Sequence, residues 1–102
     1  MSAIIASGTI RGSLNMCGTL ITETTLDVIH DYNAGQNIWG FAIPDNGTKK
    51  PIGVWMSRND GAYVVSSPVY LESMERYEVF VMRNSTSGSA QLKGTLHIYW
   101  ID

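Results

Sequence analysis

Apolar and polar residues alternate most clearly at the C-terminal end of the chain. Leu92, Gly94, Leu96, Ile98 and Trp100 take every second position, and Gln, Lys, Thr, His and Tyr stand between them. A period of two is that of a β-strand with one buried and one polar face. We therefore expect the last eleven or so residues to form a core strand that closes the domain.

The same alternation predicts strands along most of the preceding chain. Residues 3–11 predict a strand at a sheet edge or a chain entry, because Gly8 interrupts the apolar run. Residues 19–29 predict a strand whose second face contacts water, since Glu23 and Asp27 lie on it.

The middle of the chain predicts a core strand and a hairpin. Residues 38–43 place Trp39, Phe41 and Ile43 on one face. Residues 52–66 predict a hairpin around the turn Asn59-Asp60-Gly61, with Trp55 and Tyr63 on the same face.

Two further elements complete the pattern. Residues 72–75 predict a single helical turn. Residues 76–83 are apolar on both faces, which predicts a central strand with one face in the core and one face on a neighbour. Seven to eight strands separated by turns about every 8–12 residues predict an all-β protein, a compact antiparallel β-sandwich or barrel. The 102 residues predict a single domain.

Composition excludes several classes of protein. The net charge of −2 argues against non-specific nucleic-acid binding, which needs a basic surface. A single cysteine, Cys17, allows no internal disulfide. No apolar run approaches the roughly 18 residues of a membrane span, so we expect no membrane insertion. The start of the chain lacks the pattern of a signal peptide. We therefore expect synthesis in the cytosol and another route to any outer surface, unless the chain is a domain of a longer protein.

Residues for catalysis are sparse in the sequence. His30, His97 and Cys17 have no partners at the spacing of a metal site. Cys17 follows Met16 and is typical of a small buried residue rather than a nucleophile. We therefore expect no enzyme activity, no catalytic residues, no metal and no cofactor.

Side chains suited to recognition are more frequent. Tryptophan and tyrosine rings stack on sugars and anchor interfaces, while amides and carboxylates hydrogen-bond sugar hydroxyls or peptide backbone. Tyr32 lies in a predicted loop, and Trp55 is either exposed or buried, whereas Trp39 and Trp100 are expected in the core or a subunit interface. The candidate ligand-binding residues are Tyr32, Asp31, Asn33, Gln36, Asn37, Trp55 and Tyr63.

The order of elements from residue 51 to the end resembles a known family. It comprises Pro51–Ser57, Asn59–Val65, an apolar strand, a Ser/Gly loop and the closing Gly94–Trp100. This order is similar to the C-terminal head domains of viral attachment fibres, both adenovirus-type knobs and tailed-phage receptor-binding heads. The resemblance implies a homotrimer on the virion surface that binds a host-cell protein or glycan through surface loops.

Two other functions fit the same pattern. One is a free-standing, lectin-like carbohydrate-binding module. The other is a structural virion or tail-assembly subunit whose loops contact only other copies. Solution mass separates the lectin from the trimeric hypotheses, and cell binding separates the two trimeric ones.

Overall fold

A computed structural model describes the backbone of residues 3–5, 7–16 and 19–102, and the side chains from residue 21 onward. Nine strands lie in these residues. Their bounds are β1 (Ala3–Ile5), β2 (Ser7–Met16), β3 (Thr19–Tyr32), β4 (Ile38–Ile43), β5 (Lys50–Ser57), β6 (Val64–Val65), β7 (Val69–Leu71), β8 (Arg76–Met82) and β9 (Ala90–Ile101). A short 3₁₀ turn, Glu72–Met74, precedes β8 where one helical turn is predicted. Within the described part of the chain, no helix has the length and apolarity needed to cross a bilayer.

The strands form two sheets. One sheet has the order β2-β3-β9-β5, and the other has the order β1-β4-β8-β6 with β7 also paired to β8. Adjacent strands are antiparallel except β1 and β4, which run parallel. The predicted all-β sandwich is confirmed. β8 is a central strand and β9 is a core strand, as their patterns predict. In the structure β9 lies between β3 and β5.

The core lies between the two sheets and is built from alternate residues of their long strands. Inward positions on β9 pair with inward positions on β3 and β5, so that Leu96 faces Leu26 on one side and Met56 on the other. Trp39 and Trp100 are buried, as predicted for the core. The core cluster comprises Leu26, Val28, Tyr32, Trp39, Phe41, Ile43, Met56, Tyr63, Val79, Val81, Leu92, Leu96, Ile98 and Trp100.

The first predicted strand is divided in the structure. β1 belongs to the five-stranded sheet and β2 to the four-stranded sheet, so residues 3–11 are not one strand. Both pieces do lie at sheet edges, as the glycine-interrupted pattern predicts. Cys17 lies outside the described residues.

The predicted hairpin over residues 52–66 is wrong. β5 pairs with β9, whereas β6 pairs with β8 in the other sheet. The chain crosses between the sheets because Arg58 and Ala62 adopt positive φ angles of 56° and 51°. The side chain of Asn59 then hydrogen-bonds both the backbone N–H and the carbonyl of Tyr63, each at 2.8 Å. These bonds replace the strand pairing that a hairpin would give.

Candidate functional site

The outer face of the four-stranded sheet carries polar and aromatic side chains from three adjacent strands. Because inward and outward residues alternate, the apolar inward positions leave the other set on the surface. We call the polar and aromatic members of this set the polar outer face, and they are Glu23, Thr25, Asp27, Trp55, Ser57, Lys93, Thr95, His97 and Tyr99. The apolar Ile29, 60% exposed, also lies at an outward position. The prediction that one face of residues 19–29 contacts water is confirmed, because Glu23 and Asp27 lie on the outer face of β3.

Three of these side chains form a hydrogen-bonded row across β3, β9 and β5. The Oγ atom of Ser57 lies 2.7 Å from Nε2 of His97. The Nδ1 atom of His97 lies 2.9 Å from Oε2 of Glu23. The strand register explains this order, since His97 pairs directly with Trp55 and Thr25 and reaches Ser57 and Glu23 on the diagonals.

The donors in this row follow from the chemistry of its groups. An ionised carboxylate can only accept, so Nδ1–H of His97 donates to Glu23. In the neutral imidazole, Nε2 then accepts from the hydroxyl of Ser57. The His97 side chain is only 17% exposed, so the imidazole and its two hydrogen bonds are largely shielded from water.

The indole of Trp55 packs against the same histidine. Its ring lies 4.2 Å from the His97 ring with an interplanar angle of 8°. Its Nε1–H donates to the hydroxyl of Tyr99 at 2.7 Å. Trp55 is nevertheless 48% exposed. β5 is at the end of the described strand order, so the indole face opposite His97 has no further strand beside it.

A cavity of about 430 Å³ adjoins this row. Thr95, the cross-strand partner of Ser57, and Arg58, its chain neighbour, both line the cavity. Thr95 donates to Oδ1 of Asp27 at 2.9 Å. The complete lining is Asp27, Val28, Ile29, Arg58, Asp60, Lys93, Gly94 and Thr95.

The placement of Tyr32 on an exposed loop is wrong. Tyr32 is the last residue of β3 and is 7% exposed, and its ring packs 4.7 Å from Trp39 with Arg83 above it at 4.3 Å. Its hydroxyl hydrogen-bonds that of Tyr63 at 3.0 Å. Tyr63 is also buried, at 9% exposed, so it does not share a surface with Trp55.

Burial alters the chemistry of this tyrosine pair. Removal from water, followed by the hydrogen bond and the proximity of Tyr32, raises the pKa of Tyr63 to about 12. The positive charge of Arg83 acts in the opposite direction and lowers it. Tyr63 is therefore a neutral part of the core, hydrogen-bonded to Tyr32.

The other predicted loop residues gather at one end of the sandwich. The carboxylate of Asp31 accepts from Gln91, and the side chain of Gln36 accepts from the backbone of Asn33. The backbone carbonyl of Asn37 accepts from the N–H of Arg83. Asp31 pairs with Gln91, six residues from His97, which is about 20 Å along the strand. This group is therefore separate from Trp55.

Sequence reasoning missed Glu23, Ser57, His97 and Tyr99 as one group. Each lies at an outward position of its own strand, and that part was readable from the alternation. Their proximity depends on the register of β3, β9 and β5, which joins residues 40 and 74 positions apart.

A second surface covers the outside of the five-stranded sheet. Met82 pairs with both Ile38 and Val64, and Val69 pairs with Glu78. Ile38, Val64 and Val69 are exposed. We call this set, with Phe80, the apolar outer face. Glu78, 4% exposed, is paired there with Arg76 at 2.9 Å.

Among the residues with described side chains, no group of three or more metal-ligating residues is close enough to hold a metal ion. Comparison with models of known protein families finds no match. Curated proteins and solved structures give no match either.

Proposed function

We propose that this domain binds a glycan through its polar outer face and serves as an attachment module. The observation that carries the proposal is the indole of Trp55, which is half exposed yet held in place by His97 and Tyr99. A large exposed ring that is already immobilised loses little rotamer entropy when a ligand covers it.

The chemistry around the ring favours a sugar over an apolar ligand. An aromatic face packs against the C–H groups of a pyranose, and the sugar hydroxyls then need hydrogen-bonding partners at the edge of the ring. Hydroxyl and carboxylate groups of Ser57, Thr95 and Asp27 stand on the same face. They supply both donors and acceptors.

The apolar outer face supports the idea that an attachment module of this kind assembles from several copies of the chain. Exposed valine and isoleucine side chains on three strands that each pair with β8 are typical of a protein contact. In a trimeric fibre head, this face packs against other copies while the polar outer face stays free for the receptor. The observed surfaces thus suit the attachment-head hypothesis, with the ligand moved from the predicted loops to a sheet face.

The direct test is a glycan-array screen of the protein, followed by titration of the best ligand. We expect Trp55→Ala to weaken its Kd at least about tenfold, or 1.4 kcal/mol, because the stacking surface is lost. Tyr70→Ala is the matched control, since Tyr70 is 50% exposed but belongs to the five-stranded sheet.

Equal Kd values for Trp55→Ala and the parent protein would contradict the proposed site. Binding to cells in the absence of any glycan ligand would instead favour a protein receptor. Both variants should first give the β-sheet circular dichroism of the parent.

A further inference from the structure

Ser57, His97 and Glu23 are joined by two hydrogen bonds in a row, and glycan binding does not explain this order of groups. A hydroxyl lies on Nε2 of the imidazole and a carboxylate on Nδ1, at 2.7 and 2.9 Å. This is the arrangement of nucleophile, general base and orienting acid in acyl transfer, which is defined by geometry rather than by sequence order. We propose that Ser57 is an activated nucleophile that hydrolyses O-acyl esters.

The position of the row restricts the substrate to an ester. Glu23 and His97 are partly open to water, with side chains 29% and 17% exposed. An open site gives less electrostatic stabilisation than an enclosed one, so it suits a substrate with a better leaving group than an amide. The cavity lined by Arg58 and Thr95, the neighbours of Ser57, has room for a small acyl group. Its lining includes the cations Arg58 and Lys93, which would stabilise the oxyanion, as well as the carboxylates of Asp27 and Asp60.

The chemical steps balance with water as the only co-reactant. Ser57 Oγ bonds to the acyl carbon while its proton passes to Nε2 of His97. The bond from the acyl carbon to the alcohol oxygen breaks, and that oxygen takes the proton from His97. Water then attacks the acyl-serine, gives one proton to His97 and releases the carboxylic acid, and Ser57 recovers its proton. Glu23 acts as a positioning residue that holds the imidazole tautomer and stabilises its charged form.

The alcohol part of the ester is a sugar, and this part of the inference rests on the proposed function. Trp55 and Ser57 lie two residues apart on the same side of β5, which is about 7 Å. A sugar ring stacked on Trp55 would therefore present an O-acyl substituent to Ser57. The nucleophile itself does not depend on the ring being a sugar.

The first test is incubation of the full chain with a fluorophosphonate probe, followed by intact mass and peptide mapping. We expect a single phosphonyl adduct on Ser57 and none in Ser57→Ala. Ser67→Ala is the control, because Ser67 is exposed between β6 and β7 and touches none of these groups. It should label like the parent. An unlabelled parent protein, or equal labelling of Ser57→Ala, would overturn the proposal.

The second test separates a chemical role of Glu23 from a structural one. Glu23→Gln keeps the shape and an acceptor but removes the charge, and it should lower the labelling rate about 100-fold or more. The melting temperature should stay close to that of the parent. A rate loss that only follows a loss of stability would contradict the positioning role. Glycan binding without any labelling would overturn the hydrolysis and leave the proposed function intact.

Discussion

At the scale of single residues, two aromatic side chains of similar chemistry differ in burial: Tyr32 is buried and Trp55 is half exposed. The sequence predicts Tyr32 in a loop and leaves Trp55 either exposed or buried. Tyr32 is in the core because it is the last residue of β3 and continues the inward positions of Leu26 and Val28, beside Trp39. Trp55 is on the surface because its neighbours Val54 and Met56 point inward. The phase of the alternation, rather than residue type, decided both positions.

The pKa of Tyr63 makes the stability of the protein fall at alkaline pH. In the unfolded chain this tyrosine has its ordinary pKa near 10, whereas in the folded protein its pKa is about 12. Above the lower value the unfolded state loses a proton that the folded state keeps. We expect the free energy of unfolding to decrease from about pH 10 to about pH 12, measured by urea denaturation.

The matched variants for this prediction are two phenylalanine substitutions. Tyr63→Phe should remove the part of the alkaline decline that belongs to this hydroxyl. Tyr70→Phe changes an exposed tyrosine that is not in the pair, and it should keep the decline of the parent. Identical pH profiles for parent and Tyr63→Phe would show that this group does not link folding to pH.

At the scale of elements, β9 organises the four-stranded sheet. It pairs with β3 over twelve positions and with β5 over seven, and it supplies both core side chains and His97. Close approach of β5 depends on Gly94. A Cβ at that position would overlap Met56 Cε and lie 3.2 Å from the carbonyl oxygen of Ser57.

We expect Gly94→Ala to destabilise the protein by about 1–3 kcal/mol, because Met56 and the end of β5 must shift to admit the methyl group. Chemical denaturation measures this change. Gly53→Ala is the control in the same strand pair, since a Cβ at Gly53 meets no atom within 4 Å. Equal stability of the two variants would contradict the close-packing argument.

At the scale of the whole molecule, the two outer faces of the sandwich differ in character. One is polar and aromatic, and the other exposes Ile38, Val64 and Val69 beside the ion pair of buried Glu78 and partly exposed Arg76. Glu78 and Arg76 neutralise each other within the apolar outer face, so no net charge opposes its burial against another protein.

If copies of the chain associate through this face, the mass of the protein measured by light scattering should increase with its concentration. The parent should reach about three times the 11.2 kDa chain mass if the attachment-head hypothesis is right. Val64→Lys should shift the mass to that of one chain, because a lysine cannot be desolvated there without a partner. Ile52→Lys, on the other sheet and 50% exposed in the parent, should leave the mass unchanged. A monomeric parent at every concentration would favour the lectin-like module instead.

The sequence by itself determined the all-β class, most of the long strands and the apolar side of each, and it left the choice between sandwich and barrel open. This information is local, since alternation fixes which side of a strand is apolar and turn residues fix where a strand ends. It sufficed to place Trp39, Phe41 and Trp100 in the core and Glu23 and Asp27 on a polar face.

Only the tertiary structure decided which strands are neighbours. The turn at residues 58–61 is predicted to form a hairpin, yet it carries the chain from one sheet to the other, and the side chain of Asn59 hydrogen-bonds the backbone of Tyr63. The proximity of Ser57, His97 and Glu23 was decided in the same way. Which strands pair depends on long-range packing of the core. A pattern of period two excludes registers that are shifted by one residue, but it does not identify the partner strand.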